Sequence, residues 1–150
     1  MQTSVFDGLI STISLAGDIH KGHSHFYNEV LRVKYVAQKI NDSANMVVIF
    51  DELFRGTNVK DAYDGSLSII SAFAKVRNCF FVISTHIVEV AHNLAGTENI
   101  NFQFLETQFE DNSPHFSYRV KDGITEERLG MWIVKSEGIV ELVEQAVKGK

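Results

Sequence analysis

Cysteine is nearly absent from this sequence, basic residues form no dense cluster, and no apolar run approaches the length of a membrane span. Cys79 is the only cysteine among 150 residues, so no disulfide can form within the chain. Its place in the apolar run CFFVIS reads as a buried thiol, which favours a reducing, cytoplasmic setting. Lysine and arginine total 14 against 19 acidic residues, a net charge of −5. A face that grips a phosphate backbone is therefore not expected. No run nears the roughly 18 apolar residues of a spanning helix, and the opening MQTS has no basic start to an apolar leader, so neither a membrane span nor a secretory signal is expected. The length suits one domain with one core, burying roughly 68–70% of the unfolded surface.

What is present centres on residues 46–57, MVVIFDELFRGT. An uninterrupted apolar run of strand length predicts a strand covered on both faces, as in the parallel sheet of an α/β fold. Asp51 and Glu52 fall at its carboxyl end, where open α/β sheets bind their ligands. An apolar strand closed by Asp-Glu has the form of a Walker B segment. The Asp there holds a hydrated Mg²⁺ and the Glu orients or deprotonates the water that attacks a γ-phosphate.

A second uninterrupted run, residues 79–83, ends in Ser84-Thr85-His86. Two buried parallel strands joined by one helix bring Asp51, Glu52 and His86 to the same edge of the sheet. Elsewhere, residues 5–13 predict a short strand weakened by Gly8. Residues 14–24 read as a loop ending at Ser24, a helix cap. The helix that follows spaces Phe26, Val30, Val33, Ala37 and Ile40 along a broad buried face, with Tyr27, Leu31 and Tyr35 beside them. Residues 58–65, NVKDAYDG, read as a polar connection, either a solvated turn capped by Asn58 or a subunit contact. A helix is predicted over residues 66–76, with Leu67, Ile70, Phe73, Ala74 and Val76 on one face. A short helix over residues 87–94 closes at Gly96. Residues 101–107 and 115–120 alternate across the turn EDNSP and predict an antiparallel hairpin at a sheet edge, with Phe102/Phe104 and Phe116/Tyr118 as core stripes. Two helices complete the chain, around residues 129–134 and 139–143.

Two motifs lead nowhere. Residues 17–24, GDIHKGHS, fit a phosphate-binding loop except that His23 stands where the lysine must be. His20, His23 and His25 have no fourth ligand in view and read as exposed loop histidines rather than a zinc site.

DELFRGT resembles the D-E-[apolar]-x-[R/K]-G-T signature of the MutS family of mismatch-repair ATPases, within the ABC-type group. Gly22-His23-Ser24-His25-Phe26-Tyr27-Asn28-Glu29 is similar to that family's G-x-S-T-F-x-x-E helix, with His25 where the family has Thr, and Thr85-His86 matches its T-H pair. The likeness runs from Val5 to Ala146. The tail segments fall on the family's S-Y-G and final-helix patterns, the latter without its proline. An Asp-Gly pair follows Gly-Thr later than the family pattern has it, so either residues are inserted before Asp64-Gly65 or Asp61 takes the equivalent place.

The resemblance implies a P-loop NTPase-like (ABC-type) α/β fold, mainly a parallel sheet with flanking helices and an antiparallel edge hairpin, lacking the Walker A strand, loop and helix. Residues 1–150 would be the C-terminal portion of a MutS-like ATPase domain. It further implies ATP and Mg²⁺ as ligands, Glu52 and His86 as catalytic groups and Asp51 as the metal-holding residue. Gly22, Ser24, Thr57 and Asn58 would contact nucleotide, with the serine helix facing the γ-phosphate held by a second, identical subunit. Mismatched or structured DNA would be bound by domains outside this chain. Two other readings stand beside it: a non-catalytic dimerisation or regulatory module, and a metal-dependent hydrolase using Asp51, Glu52 and His86 directly.

Overall fold

A computed structural model describes residues 5–13, 25–42, 45–110, 113–127 and 129–148. Where length alone predicts one core, the chain divides into two compact units, Met1–Ile100 and Asn101–Lys150. Among the described residues no helix is long and apolar enough to cross a membrane.

The first unit holds β1 (Gly8–Thr12), α1 (His25–Asn41), β2 (Met46–Asp51), α2 (Val59–Phe73), β3 (Phe80–Ser84) and α3 (Val88–Leu94). The strands form a parallel sheet in the order β1-β2-β3, with Leu9 beside Val47, Val47 beside Phe80, and Asp51 beside Ser84. Because the strand order never reverses, right-handed crossovers put α1 and α2 on the same face. That face is the core. Val48 and Phe50 of β2 are buried, as are Val33 and Val36 of α1. Phe73 of α2 stacks between Phe50 and Phe81 at ring-centre distances of 5.9 and 4.6 Å.

The opposite face is as apolar but stays open. Leu9, Phe80 and Val82 are exposed and Val47 and Ile49 half-buried, which corrects the expectation of a strand covered on both sides. The same one-sidedness narrows the buried stripe of α1: Val36 takes the place expected of Ala37, while Tyr27, Leu31 and Tyr35 are exposed. Cys79 precedes β3 and is half-buried rather than buried.

The connection expected over residues 58–65 is helical. Asn58 caps α2 by accepting the Asp61 N–H at 3.0 Å, and Asp61 in the first turn suits the positive end of the helix. The buried positions are accordingly Ala62, Ser66 and Phe73, one helical stripe that begins earlier than the expected one.

In the second unit β4 (Gln103–Glu110) and β5 (Ser113–Asp122) pair antiparallel as a two-stranded sheet of their own rather than at the edge of a larger one, among the described residues. Its register shifts between Leu105 and Thr107, and Tyr118 adopts a left-handed φ of 53°. The shift breaks the alternation. Phe116 and Tyr118, expected in the core, are exposed, while Phe102 and Phe104 are half-buried. Phe109 meets Trp132 of α4 (Leu129–Ser136) edge to face at 6.1 Å, and α5 (Ile139–Lys148) follows.

Candidate functional site

The carboxyl ends of β2 and β3 meet at Asp51 and Ser84. The Ser84 hydroxyl donates to Asp51 Oδ1 at 2.7 Å and accepts the Glu52 N–H at 3.1 Å, while the Ser84 carbonyl accepts the same N–H at 3.2 Å. One serine thus orients the aspartate carboxylate and pins the backbone of the glutamate. Two residues on, His86 Nδ1 lies 3.4 Å from Glu52 Oε1, and Arg55 lies 3.6 Å from Glu52 Oε2. Pairs this exposed add little stability; their effect is to aim the Glu52 side chain.

Glu52 and Phe54 have φ of 54° and 62°, left-handed conformations that cost roughly 1–2 kcal/mol each for residues with a Cβ. Such strain persists only where the surroundings over-determine it. Here both helices do so. From α2, Ser66 donates its buried hydroxyl to the Leu53 carbonyl at 3.3 Å. The Phe54 ring packs over Gly65, where a Cβ would come within 2.9 Å of it, and meets Phe26 of α1 edge to face at 5.7 Å. The Gly56 N–H donates to Glu29 Oε2 of α1 at 3.1 Å. Gly56 must be glycine, since a Cβ there would lie 2.7 Å from the Phe26 nitrogen.

A concavity between the ends of β1 and β2 and the start of α1 is lined by Thr12, His25, Glu29, Arg32, Asp51, Glu52 and Arg55, among others. His86 is not part of this lining and approaches Glu52 from the β3 side. Thr57 and Asn58 lie outside it as well, the Asn58 side chain being engaged in capping α2. Gly22 and Ser24, with His20, His23 and the rest of the loop 17–24, lie outside the described residues. Asp51, Glu52 and His86 are therefore brought together. Ser84, Glu29 and Arg32 join them without having been assigned a role from sequence; the only advance signals were that Ser84 precedes Thr85-His86 and that Glu29 closes the segment 22–29.

Among the described residues no group of three or more His, Cys, Asp or Glu side chains is arranged to hold a metal ion by itself. A carboxylate at a strand end, one oxygen already fixed by a hydroxyl, suits a cation that keeps most of its water and takes its other ligands from phosphate, as Mg²⁺ does.

A family model described as MutS domain V matches residues 1–149. Over 143 residues the chain is 25% identical to the DNA mismatch repair protein MutS of Petrotoga mobilis, covering 95% of this chain and 17% of that one. It is 24% identical to the DNA mismatch repair protein MSH2 of Saccharomyces cerevisiae over 156 residues, 98% of this chain and 16% of that one. Against the DNA mismatch repair protein MSH3 of Vanderwaltozyma polyspora the identity is 28% over 140 residues, 90% and 14% of the two chains. The chain thus spans between 14% and 17% of the length of these curated relatives.

Proposed function

Because the chain belongs to the MutS family, in the region of domain V, we propose that it is the carboxyl-terminal part of a P-loop, ABC-type ATPase domain that hydrolyses ATP with Mg²⁺ at a dimer interface. The observation that carries this reading is the meeting of Asp51 and Glu52 from β2 with His86 from beyond β3, His86 lying 3.4 Å from the Glu52 carboxylate. Asp51, oriented by Ser84, would hold the ion through its water shell. When bound, Mg²⁺ neutralises charge developing on the phosphate oxygens. Glu52 accepts the proton of the attacking water, and Arg55 and His86 keep its carboxylate in place from two sides. His86 also donates to phosphate or to that water.

The start of α1, where the Ser24 motif leads into the helix, faces the nucleotide of the second subunit, and the hydrolytic cycle is coupled to mismatched DNA held by other domains of a longer protein. Direct ligation of a metal by Asp51, Glu52 and His86, as in a metal-dependent hydrolase, is the weaker reading, since among the described residues no three such side chains are arranged around a common point.

The test uses a MutS-family protein carrying this segment together with a phosphate-binding loop. Glu52→Gln should bind ATP nearly as well as the wild type and hydrolyse it slower by a factor on the order of 10²–10⁴, the usual contribution of a positioned base. Undiminished hydrolysis would end the reading. Ser24→Ala and Glu52→Gln subunits combined in one dimer should recover part of the wild-type rate, because one composite site stays intact. No recovery in a verified heterodimer would reduce Ser24 to a helix cap.

A further inference from the structure

The carboxylate of Glu29 belongs to none of the roles above, yet it is the most enclosed acid around the concavity, with a side chain only 12% exposed. It accepts the Gly56 N–H at 3.1 Å and stands 3.5 Å from His25 Nδ1, a buried nitrogen that makes no hydrogen bond of its own among the described residues. Both partners lie at one junction. Gly56 is four residues beyond Glu52, and His25 is the first residue of α1. The junction has no slack, because any Cβ on Gly56 would run into the backbone of Phe26 and the ring of His25. We infer that Glu29 is a positioning residue that locks the first turn of α1 to the loop 53–57, so that the phosphate-facing end of the helix and the water-orienting Glu52 shift together.

The chemistry is that of a half-buried carboxylate accepting a backbone amide across two elements, where no side chain of the loop could substitute because Gly56 has none. The inference rests on the ATPase reading and deepens it. Within one subunit, the helix start serves the partner's nucleotide and Glu52 serves its own, so this contact would carry the state of one site to the other. A two-state link of that kind needs a rigid element biased from both ends, and the Glu29–Gly56 contact joins the two.

Kinetics in a MutS-family protein carrying this segment and a phosphate-binding loop, with amide exchange on the present chain, test it. Glu29→Ala should speed exchange at the Gly56 amide and lower kcat for ATP by a factor on the order of 10², the effect of a small displacement of a reacting group, while leaving KM for ATP within about twofold. Glu29→Gln, whose amide oxygen can still accept the Gly56 N–H, should restore most of the rate and the slow exchange. Gly56→Ala, which opens the same junction from the loop side, should reproduce the kcat loss and decides the matter if Glu29→Ala does not fold. A wild-type kcat in Glu29→Ala or, failing its folding, in Gly56→Ala, while Glu52→Gln is inactive, overturns the role of Glu29 and leaves the ATPase reading standing. Glu29→Gln as slow as Glu29→Ala overturns the hydrogen-bond assignment. Full hydrolysis by Glu52→Gln removes the ATPase reading itself, and the positioning role with it.

Discussion

Glu52 Oε1 and His86 Nδ1 stand 3.4 Å apart although they leave different strands. The contact follows from register: β2 and β3 run parallel with Asp51 opposite Ser84, so the residues immediately beyond them emerge side by side. If His86 acts by aiming Glu52, the two mutations will not be additive. His86→Ala should slow single-turnover ATP hydrolysis in an otherwise wild-type protein, but add much less to Glu52→Gln. Equal, additive losses would mean that His86 works on phosphate independently of Glu52.

Ser84 offers a finer probe of Asp51, the carboxylate proposed to hold the metal. Ser84→Ala removes the 2.7 Å bond to Asp51 but leaves the Glu52 N–H bonded to the main-chain carbonyl of residue 84. A hydrogen bond of about 1 kcal/mol that orients Asp51 corresponds to about a fivefold rise in the Mg²⁺ concentration giving half-maximal rate. Asp51→Asn should raise it further, since the charge itself is lost. A Mg²⁺ titration in which Ser84→Ala and wild type superimpose would show that Asp51 needs no help from Ser84.

The parts of this arrangement legible in the sequence are those in which neighbours along the chain carry the signal. The apolar runs predicted β2 and β3, and the acids and the histidine stand just past them, so the coming together of Asp51, Glu52 and His86 could be read directly. The start of α2 is not legible there, because a single side-chain bond, Asn58 to the Asp61 amide, turns a polar stretch into a helix. The contacts of Ser84 with Asp51 and of Glu29 with Gly56 span 33 and 27 residues, beyond any local pattern. The exposure of Tyr118 is not legible either, because the register shift in the hairpin breaks the period on which a core stripe depends.

Core and surface aromatics should respond very differently to truncation. Phe73 is buried and stacked between Phe50 and Phe81, so Phe73→Ala should cost about 3–5 kcal/mol. Tyr118 is 83% exposed, and Tyr118→Ser should stay within about 0.5 kcal/mol of wild type. Urea denaturation of the chain checks both. A large loss at Tyr118 would mean that its exposed face is covered in solution.

Gly65→Ala sets two effects of opposite sign against each other. Glycine inside a helix is worth about 1 kcal/mol less than alanine, so propensity alone predicts that the substitution stabilises α2. The new Cβ would lie 2.9 Å from Phe54 Cδ2, closer than such atoms approach. A flexible, exposed side chain would swing aside, but Phe54 is buried, backed by Phe26 and held at a left-handed φ of 62°. Overpacking of this kind costs about 1–3 kcal/mol, which outweighs the propensity gain. The net result should be a loss of about 1 kcal/mol on denaturation. The displacement also has a direction, because pushing Phe54 away from α2 pulls on Leu53 and on the Glu52 turn just before it. In a hydrolysing MutS-family protein carrying this segment, Gly65→Ala should therefore lower kcat more than its stability loss explains, with KM for ATP little changed. A variant that is more stable and fully active would show that the Phe54 ring has room to move, and that the turn carrying Glu52 is not held from α2.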